Sequence, residues 1–260
     1  MGGLGAAPGA RAMSARFSER VGIEARQGPR AEMQDRHVVA IEPEGLFGGV
    51  YDGHGGVAVA EAAAGHLHRA FFTDLRRGAG PEAAFREAFR QVDRLTADET
   101  CGAGATVVYV AGGRLWAANL GDGRAVLVRD AGVRAMTRDH RIDNPEERAR
   151  VVAAGAGIEP PYLTRGDHGL MLTRSLGDRW FRDVGVIATP EISDLALGRP
   201  DRWVVVASDG LWDVLGNQEV AARVRAGRGP QHAARALVDA VATRGGHDNV
   251  TVLVLDLSTS

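Results

Sequence analysis

The chain has 260 residues, 45% of them hydrophobic and 25% charged, with a formal net charge of −2 at pH 7. That is enough apolar material for a full core, with no excess of positive charge to draw it to nucleic acid or an anionic membrane surface. Every basic residue is Arg, which reads as a bias of coding composition, and the single cysteine, Cys101, excludes an internal disulfide and suits a reducing cytoplasm.

Residues 1–15 read as a disordered Gly/Ala-rich lead-in, with no apolar core long enough for a signal peptide there and no membrane-spanning run elsewhere. One domain is expected over residues 16–258, its first half-buried strand within Phe17–Ala25. Arg30-Ala31-Glu32-Met33-Gln34-Asp35 then precedes the strand-like His37–Ile41. Arg30 and Asp35 by themselves read equally well as a surface ion pair.

The apolar run Leu46–Val50 leads into Tyr51-Asp52-Gly53-His54-Gly55-Gly56. An acid and an imidazole at a strand end, among glycines that let the backbone come close, can form a metal cradle from the Asp52 carboxylate and the Gly53 carbonyl, with His54 as a proton donor beside it. The alternative is a glycine-rich turn with an incidental Asp and His. Two packing helices are expected next, Val57–Phe72 and the amphipathic Pro81–Leu95, whose stripe is Ala84, Phe85, Ala88, Phe89, Val92 and Leu95. His66 and His68, two apart on the first of these, point in different directions and do not make a joint metal site.

Ala105–Ala111, Arg114–Asn119 and Arg124–Arg129, separated by Gly112-Gly113 and Gly121-Asp122-Gly123, predict an antiparallel meander with Asp122 as an ordinary turn residue. Asn144-Pro145-Glu146-Glu147 starts a capped helix that Gly155 ends. Residues 141–186, rich in Gly, Pro and charge, read as a flap-like insertion over the domain that helps to choose substrates.

Trp203–Ala207 predicts a central strand delivering Ser208-Asp209-Gly210-Leu211-Trp212-Asp213, with Asp209 and Asp213 facing the same way from a short helical turn. Helices Gln218–Arg225, capped by Asn217, and Pro230–Thr243 follow, and Asp248 enters the terminal strand Thr251–Leu257. Asp35, Asp52, Asp209 and Asp248 all fall at strand ends, where a sheet can bring distant residues to one edge. Four carboxylates left unpaired would repel, and oxygen-only ligands select hard ions such as Mg²⁺ or Mn²⁺ over zinc. Two such ions suit the activation of water for attack on a phosphoryl group.

On these residues the chain resembles the metal-dependent type 2C serine/threonine protein phosphatases, the PPM family, from about Gly22 to Leu257. Asp52-Gly53-His54-Gly55-Gly56 matches the family signature in which the Asp bridges two metals, the Gly lends its carbonyl and the His is the proposed general acid. Arg30–Asp35 looks like the phosphate-binding Arg followed by the first metal-site acid. Gly104-Ala105-Thr106, Asn119–Asp122, Asp139-His140, Arg174–Asp178, Ser208–Asp213 and Asp248-Asn249 follow in the family's order. Gln34 stands where many members carry Glu, as it does in bacterial relatives, and Gly123 replaces a common Ser.

The resemblance implies an α+β fold, a four-layer α-β-β-α sandwich of two central antiparallel sheets flanked by helices. It implies hydrolysis of phosphoserine and phosphothreonine by a metal-activated water, with catalytic Arg30 and His54. The metal residues are then Asp35, Asp52, Gly53, Asp122, Asp209, Asp213 and Asp248, holding two Mn²⁺ or Mg²⁺ ions and a weaker third at Asp122 and Asp213. The implied partners are phosphorylated proteins and an opposing Ser/Thr kinase, for a cytoplasmic monomer that binds neither nucleic acid nor membrane. The rival from another class is a noncatalytic pseudophosphatase that binds phosphoproteins in the same cleft, which loss of a metal Asp would favour.

Overall fold

The computed structural model describes residues 19–258; the expected lead-in over residues 1–15 lies outside the described residues. In chain order the elements are β1 (Val21–Arg26), β2 (Arg36–Glu42), β3 (Gly45–His54), helices α1 (Ala58–Arg76) and α2 (Pro81–Leu95), then β4 (Gly102–Ala111), β5 (Arg114–Leu120), β6 (Arg124–Arg129) and β7 (Val133–Ala135). Helix α3 (Pro145–Ala153) leads into three short strands, β8 (Gly157–Glu159), β9 (Tyr162–Arg165) and β10 (His168–Leu170). After β11 (Leu176–Gly177), a 3₁₀ turn (Arg179–Val184), β12 (Glu191–Ala196) and β13 (Asp201–Ala207) come α4 (Asp209–Trp212), α5 (Asn217–Ala226), α6 (Pro230–Thr243) and β14 (Val250–Asp256).

One sheet runs β1-β14-β13-β6-β7 and the other β12-β5-β4-β3-β2, with β11 paired to the start of β4; β8, β9 and β10 form a small third sheet. The two-residue period of the strands builds the layers. In β13, Val204 and Val206 face the opposite sheet while Val205 faces helices α5 and α6; in β14, Leu253 and Leu255 point inward and Val252 and Val254 outward. On the far side, Phe47, Tyr51, Val107 and Tyr109 pack under α1 and α2 against Phe71, Phe72, Phe85 and Phe89. The result is helices, sheet, sheet, helices. Each fully buried Val, Leu or Phe contributes about 1.5–3 kcal/mol, so the four layers are held chiefly by their three apolar interfaces.

Helix α2 begins at Pro81 as its spacing predicts, and Ala84, Phe85, Ala88, Phe89 and Val92 are buried. Leu95, expected on the same stripe, is 62% exposed. The buried position at this end passes to Thr96, which stops the helix and returns its hydroxyl to the Val92 carbonyl at 3.0 Å. Asn144 caps α3 by accepting from the Glu146 N–H at 3.1 Å. Asn217, by contrast, is not a cap: α5 starts from Gly216 without a side-chain cap, and the Asn217 Oδ1 accepts from Arg124 at 2.6 Å.

The meander is also corrected. β4 and β5 do form a hairpin through Gly112-Gly113, but β6 leaves for the opposite sheet to pair with β13 and β7, and β12 takes the free edge of β5. Gly121-Asp122-Gly123 is therefore a crossing between sheets and not a hairpin turn. This crossing carries Asp122 into the cleft.

Candidate active site

The catalytic-type residues come from ends of both sheets. β3 delivers Asp52, Gly53 and His54 opposite Gly104, Ala103 and Gly102 of β4; β13 delivers Ser208 and Asp209 at the start of α4; Asp248 and Asn249 enter β14. They converge in a cleft of about 820 Å³ that is also lined by Arg30, Gln34, Tyr162, His168 and Trp180. Asn249 ties the loop before β2 into place, accepting from the Gln34 N–H at 2.7 Å and donating to the carbonyls of Gln27 and Glu32 at 2.7 and 3.0 Å.

Carboxylate oxygens of Asp52, Asp122 and Asp209 lie within 4.8 Å of one another. Asp35 sits beneath them, 4% exposed, with Oδ2 accepting from the Ser208 hydroxyl at 2.8 Å. Its Oδ1 is buried without a partner. Burial raises the Asp35 pKa to about 6, against the lowering effect of Ser208. Asp52 is pushed well above the ordinary carboxylate range by burial and by the charges of Asp209, Asp35 and Asp122, and Asp209 likewise by burial and by Asp122, Asp213 and Asp248. Protons held against such pressure are protons that a cation can replace. An all-oxygen donor set with an orphaned buried carboxylate oxygen fits hard divalent ions.

Gly53 is needed for close approach: a Cβ there would lie 2.6 Å from the Gln34 carbonyl oxygen and 3.1 Å from the Ala60 Cβ. Gln34 itself turns its side chain to Glu32, donating at 3.0 Å. Arg30 pairs with Asp248 at 2.6 Å rather than with Asp35, and with 58% of its side chain exposed it stands at the mouth of the cleft. Asp213 is the outlying acid, 53% exposed and joined to the others through Arg141.

His54 has a partner that sequence reasoning missed. Its Nε2 lies 2.8 and 2.9 Å from the two oxygens of Asp178, which is 2% exposed. Burial works against the imidazolium, but the Asp178 hydrogen bond and charge outweigh it, and the His54 pKa is raised. Asp178 is the one non-glycine residue with positive φ among the described residues, at 48°, strain of the kind that collects where a side chain must be aimed. Gly102 makes room for the pair, since a Cβ there would fall 2.1 Å from Asp178 Oδ2 and 2.5 Å from His54 Nε2. The stretch Arg174–Asp178 stands out in the sequence, but nothing local says which of its residues reaches His54.

The crossing turn that holds Asp122 is braced by the remaining polar residues. Gly121, with φ of 105°, has its N–H bound by His140 Nδ1 at 3.2 Å and its carbonyl by the His140 N–H at 2.9 Å. Burial lowers the His140 pKa to about 4, which keeps Nδ1 an acceptor. Asn119 donates to the carbonyls of Gly121 and Arg138 and accepts from Thr106 at 2.6 Å. Arg174 has a structural part: it pairs with Glu147, which is drawn down to about 2 because Arg174, Thr173 and Arg150 together overcome its burial.

A four-layer fold with acids gathered at one edge, an Arg at the mouth and a His–Asp pair alongside defines a hydrolase of the metal-dependent phosphatase kind. A family model described as Protein phosphatase 2C matches residues 19–250. The Arabidopsis thaliana protein named "Probable protein phosphatase 2C 71" is 34% identical over 245 residues, covering 90% of this chain and 54% of that protein. The Oryza sativa protein named "Probable protein phosphatase 2C 45" is 32% identical over 250 residues, covering 90% and 86%. This chain thus spans about half the length of the first and most of the second. A solved structure titled as a C. elegans sex determining protein superposes with a TM-score of 0.83 at 25% identity, covering 92% of this chain and 64% of that one. A serine-threonine phosphatase 2C from Toxoplasma gondii, at 20% identity and a TM-score of 0.80 over 91% of this chain and 94% of that one, shares the fold. The chain belongs to the protein phosphatase 2C family, and so to the metal-dependent serine/threonine protein phosphatases. With Asp35, Asp52, Asp209 and Asp248 all present, the pseudophosphatase alternative is not favoured.

Proposed function

We propose that this cleft hydrolyses phosphoserine and phosphothreonine in proteins with two divalent ions, Mn²⁺ or Mg²⁺, held by Asp35, Asp52, Asp209, Asp248 and the Gly53 carbonyl. The observation that carries the reading is the buried, unpartnered Asp35 oxygen beneath acids whose proton affinity is raised by burial and by mutual repulsion. Bound ions would supply charge neutralisation and a water acidified for attack on phosphorus. The chain's own residues supply the rest. Arg30, whose guanidinium needs only to swing from Asp248, grips nonbridging phosphate oxygens in a bidentate fashion. His54, kept protonated by Asp178, gives its second proton from Nδ1 to the departing Ser or Thr oxygen while Nε2–H stays on Asp178.

The assignment of residues 16–258 to one catalytic domain and of 141–186 to a substrate flap belongs to the same proposal, supported by the apolar cluster of Val151, Leu163 and Phe181 within the flap. So do a weaker third ion at Asp122 and Asp213, an opposing kinase, a cytoplasmic monomer, and a bacterial-type pattern at Gln34. No helix among the described residues is long and apolar enough to cross a membrane. Phosphate release from a phosphothreonine peptide should vanish with EDTA and return with Mn²⁺ or Mg²⁺; undiminished release in excess chelator would sink the proposal.

A further inference from the structure

Arg141 was not singled out by any motif, yet its guanidinium binds three acids at once, two of which, Asp122 and Asp209, line the cleft. Its Nε donates to Asp122 Oδ2 at 2.6 Å, one terminal nitrogen to Asp213 Oδ1 at 3.0 Å, and the other to Asp209 Oδ2 at 3.0 Å and Asp213 Oδ2 at 3.1 Å. Three carboxylates, one from the crossing turn and two from the ends of α4, are gathered on one guanidinium. The side chain is only 18% exposed, and its neighbours push its pKa up despite burial.

Its backbone is equally fixed. Arg141 bridges Leu172, and the preceding His140 holds the Asp122 turn through Gly121 and accepts from the Thr173 N–H at 2.9 Å. The guanidinium thus springs from the root of the flap into the acids without freedom to wander. Asp122 and Asp213 are the acids left over once two dications are matched, charge for charge, by Asp35, Asp52, Asp209 and Asp248. They are also the residues to which a third ion would have to bind, and Arg141 already occupies them.

We infer that Arg141 is the resident cation of the third position: its guanidinium neutralises Asp122 and Asp213 in place of a third divalent ion, and such an ion enters only by displacing it. The inference rests on the binuclear reading above. When the two ions take Asp209, Arg141 keeps Asp122 through Nε and Asp213 through both terminal nitrogens. A third ion must break three hydrogen bonds and expel a charge of its own sign from a shielded site. Because the residue is anchored against Leu172, its expulsion would also disturb the flap root, linking third-ion occupancy to the wall that faces substrate.

The test is Mn²⁺ titration of the full chain by calorimetry, without substrate. Wild type should bind two equivalents tightly and a third weakly. Arg141→Gln should leave the tight pair in place and bind the third at least about tenfold more tightly, a difference of about 1.4 kcal/mol, whereas Arg141→Lys, which restores the charge, should keep it weak. Tight binding of two ions with an unchanged third in Arg141→Gln would overturn this inference while leaving the binuclear reading intact; absence of the tight pair in wild type would overturn both. Should Arg141→Gln not fold, the wild-type chain serves: in a Mg²⁺ titration followed by NMR, the Arg141 Nε–H should remain protected from exchange through the second equivalent and lose protection only with the third. Loss with the first two, or none with the third, would refute it.

Discussion

His54 and Asp178 form the smallest unit on which the proposed chemistry depends. A serine or threonine alkoxide is a poor leaving group and needs a proton, while an aryl phosphate leaves without one. His54→Gln should therefore lower kcat on a phosphothreonine peptide by about 10²-fold or more and spare an aryl phosphate. Gly102→Ala should do much the same without replacing the imidazole, because its Cβ would collide with both Asp178 Oδ2 and His54 Nε2 and push the pair apart. Steady-state kinetics on the two substrates decide it, and equal losses on both would remove His54 from the acid role. The Asp52-Gly53-His54 stretch was legible in the sequence as a strand-end cradle because glycine and charge mark it locally. Asp178 and Arg141 were not, since their roles consist of contacts 124 residues away for Asp178 and 19 to 72 residues away for Arg141, which no local pattern encodes.

The elements show the same division. Strands such as Trp203–Ala207 and helices such as Pro81–Leu95 and Pro230–Thr243 announce themselves by period and by proline at the first turn, and stand where their patterns put them. Pairing between strands is a different matter. The run through Gly121-Asp122-Gly123 has hairpin composition, but the edge beyond β5 is claimed by β12, whose Glu191 pairs with Asn119 from 72 residues downstream, so β6 crosses instead. Tyr162, His168 and Trp180 line the cleft from the segment proposed as a flap, which on that proposal would bear on substrate choice. Leu163, fully buried in the flap's own cluster, holds β9 there. Leu163→Ala should cost about 2–5 kcal/mol in local stability and raise KM for phosphopeptides while leaving KM for a small aryl phosphate close to wild type. If both KM values rise together, the flap does not contact the peptide.

At the scale of the whole molecule, the acid edge is a liability that metal removes. Asp35, ordinarily ionising at 3.8 and here raised to about 6, stabilises the metal-free fold fully only below its unfolded value and loses that contribution as pH rises through about 6. Bound cations need the ionised form, so metal and protons compete. The melting temperature of Mn²⁺-loaded protein minus that of chelated protein should therefore widen from about pH 5 to about pH 7.5, and taking the difference cancels groups such as His140 that metal does not touch. A gap independent of pH would mean that the acids are not the ligands.

The central claim is that the carboxylates at this sheet edge hold two divalent ions. Anomalous diffraction at the manganese edge from crystals grown with Mn²⁺ tests it most directly. The account predicts two strong peaks bounded by Asp35, Asp52, Asp209 and Asp248, with the Arg141 guanidinium still seated between Asp122 and Asp213. Peaks elsewhere, or none between those four acids, would contradict it.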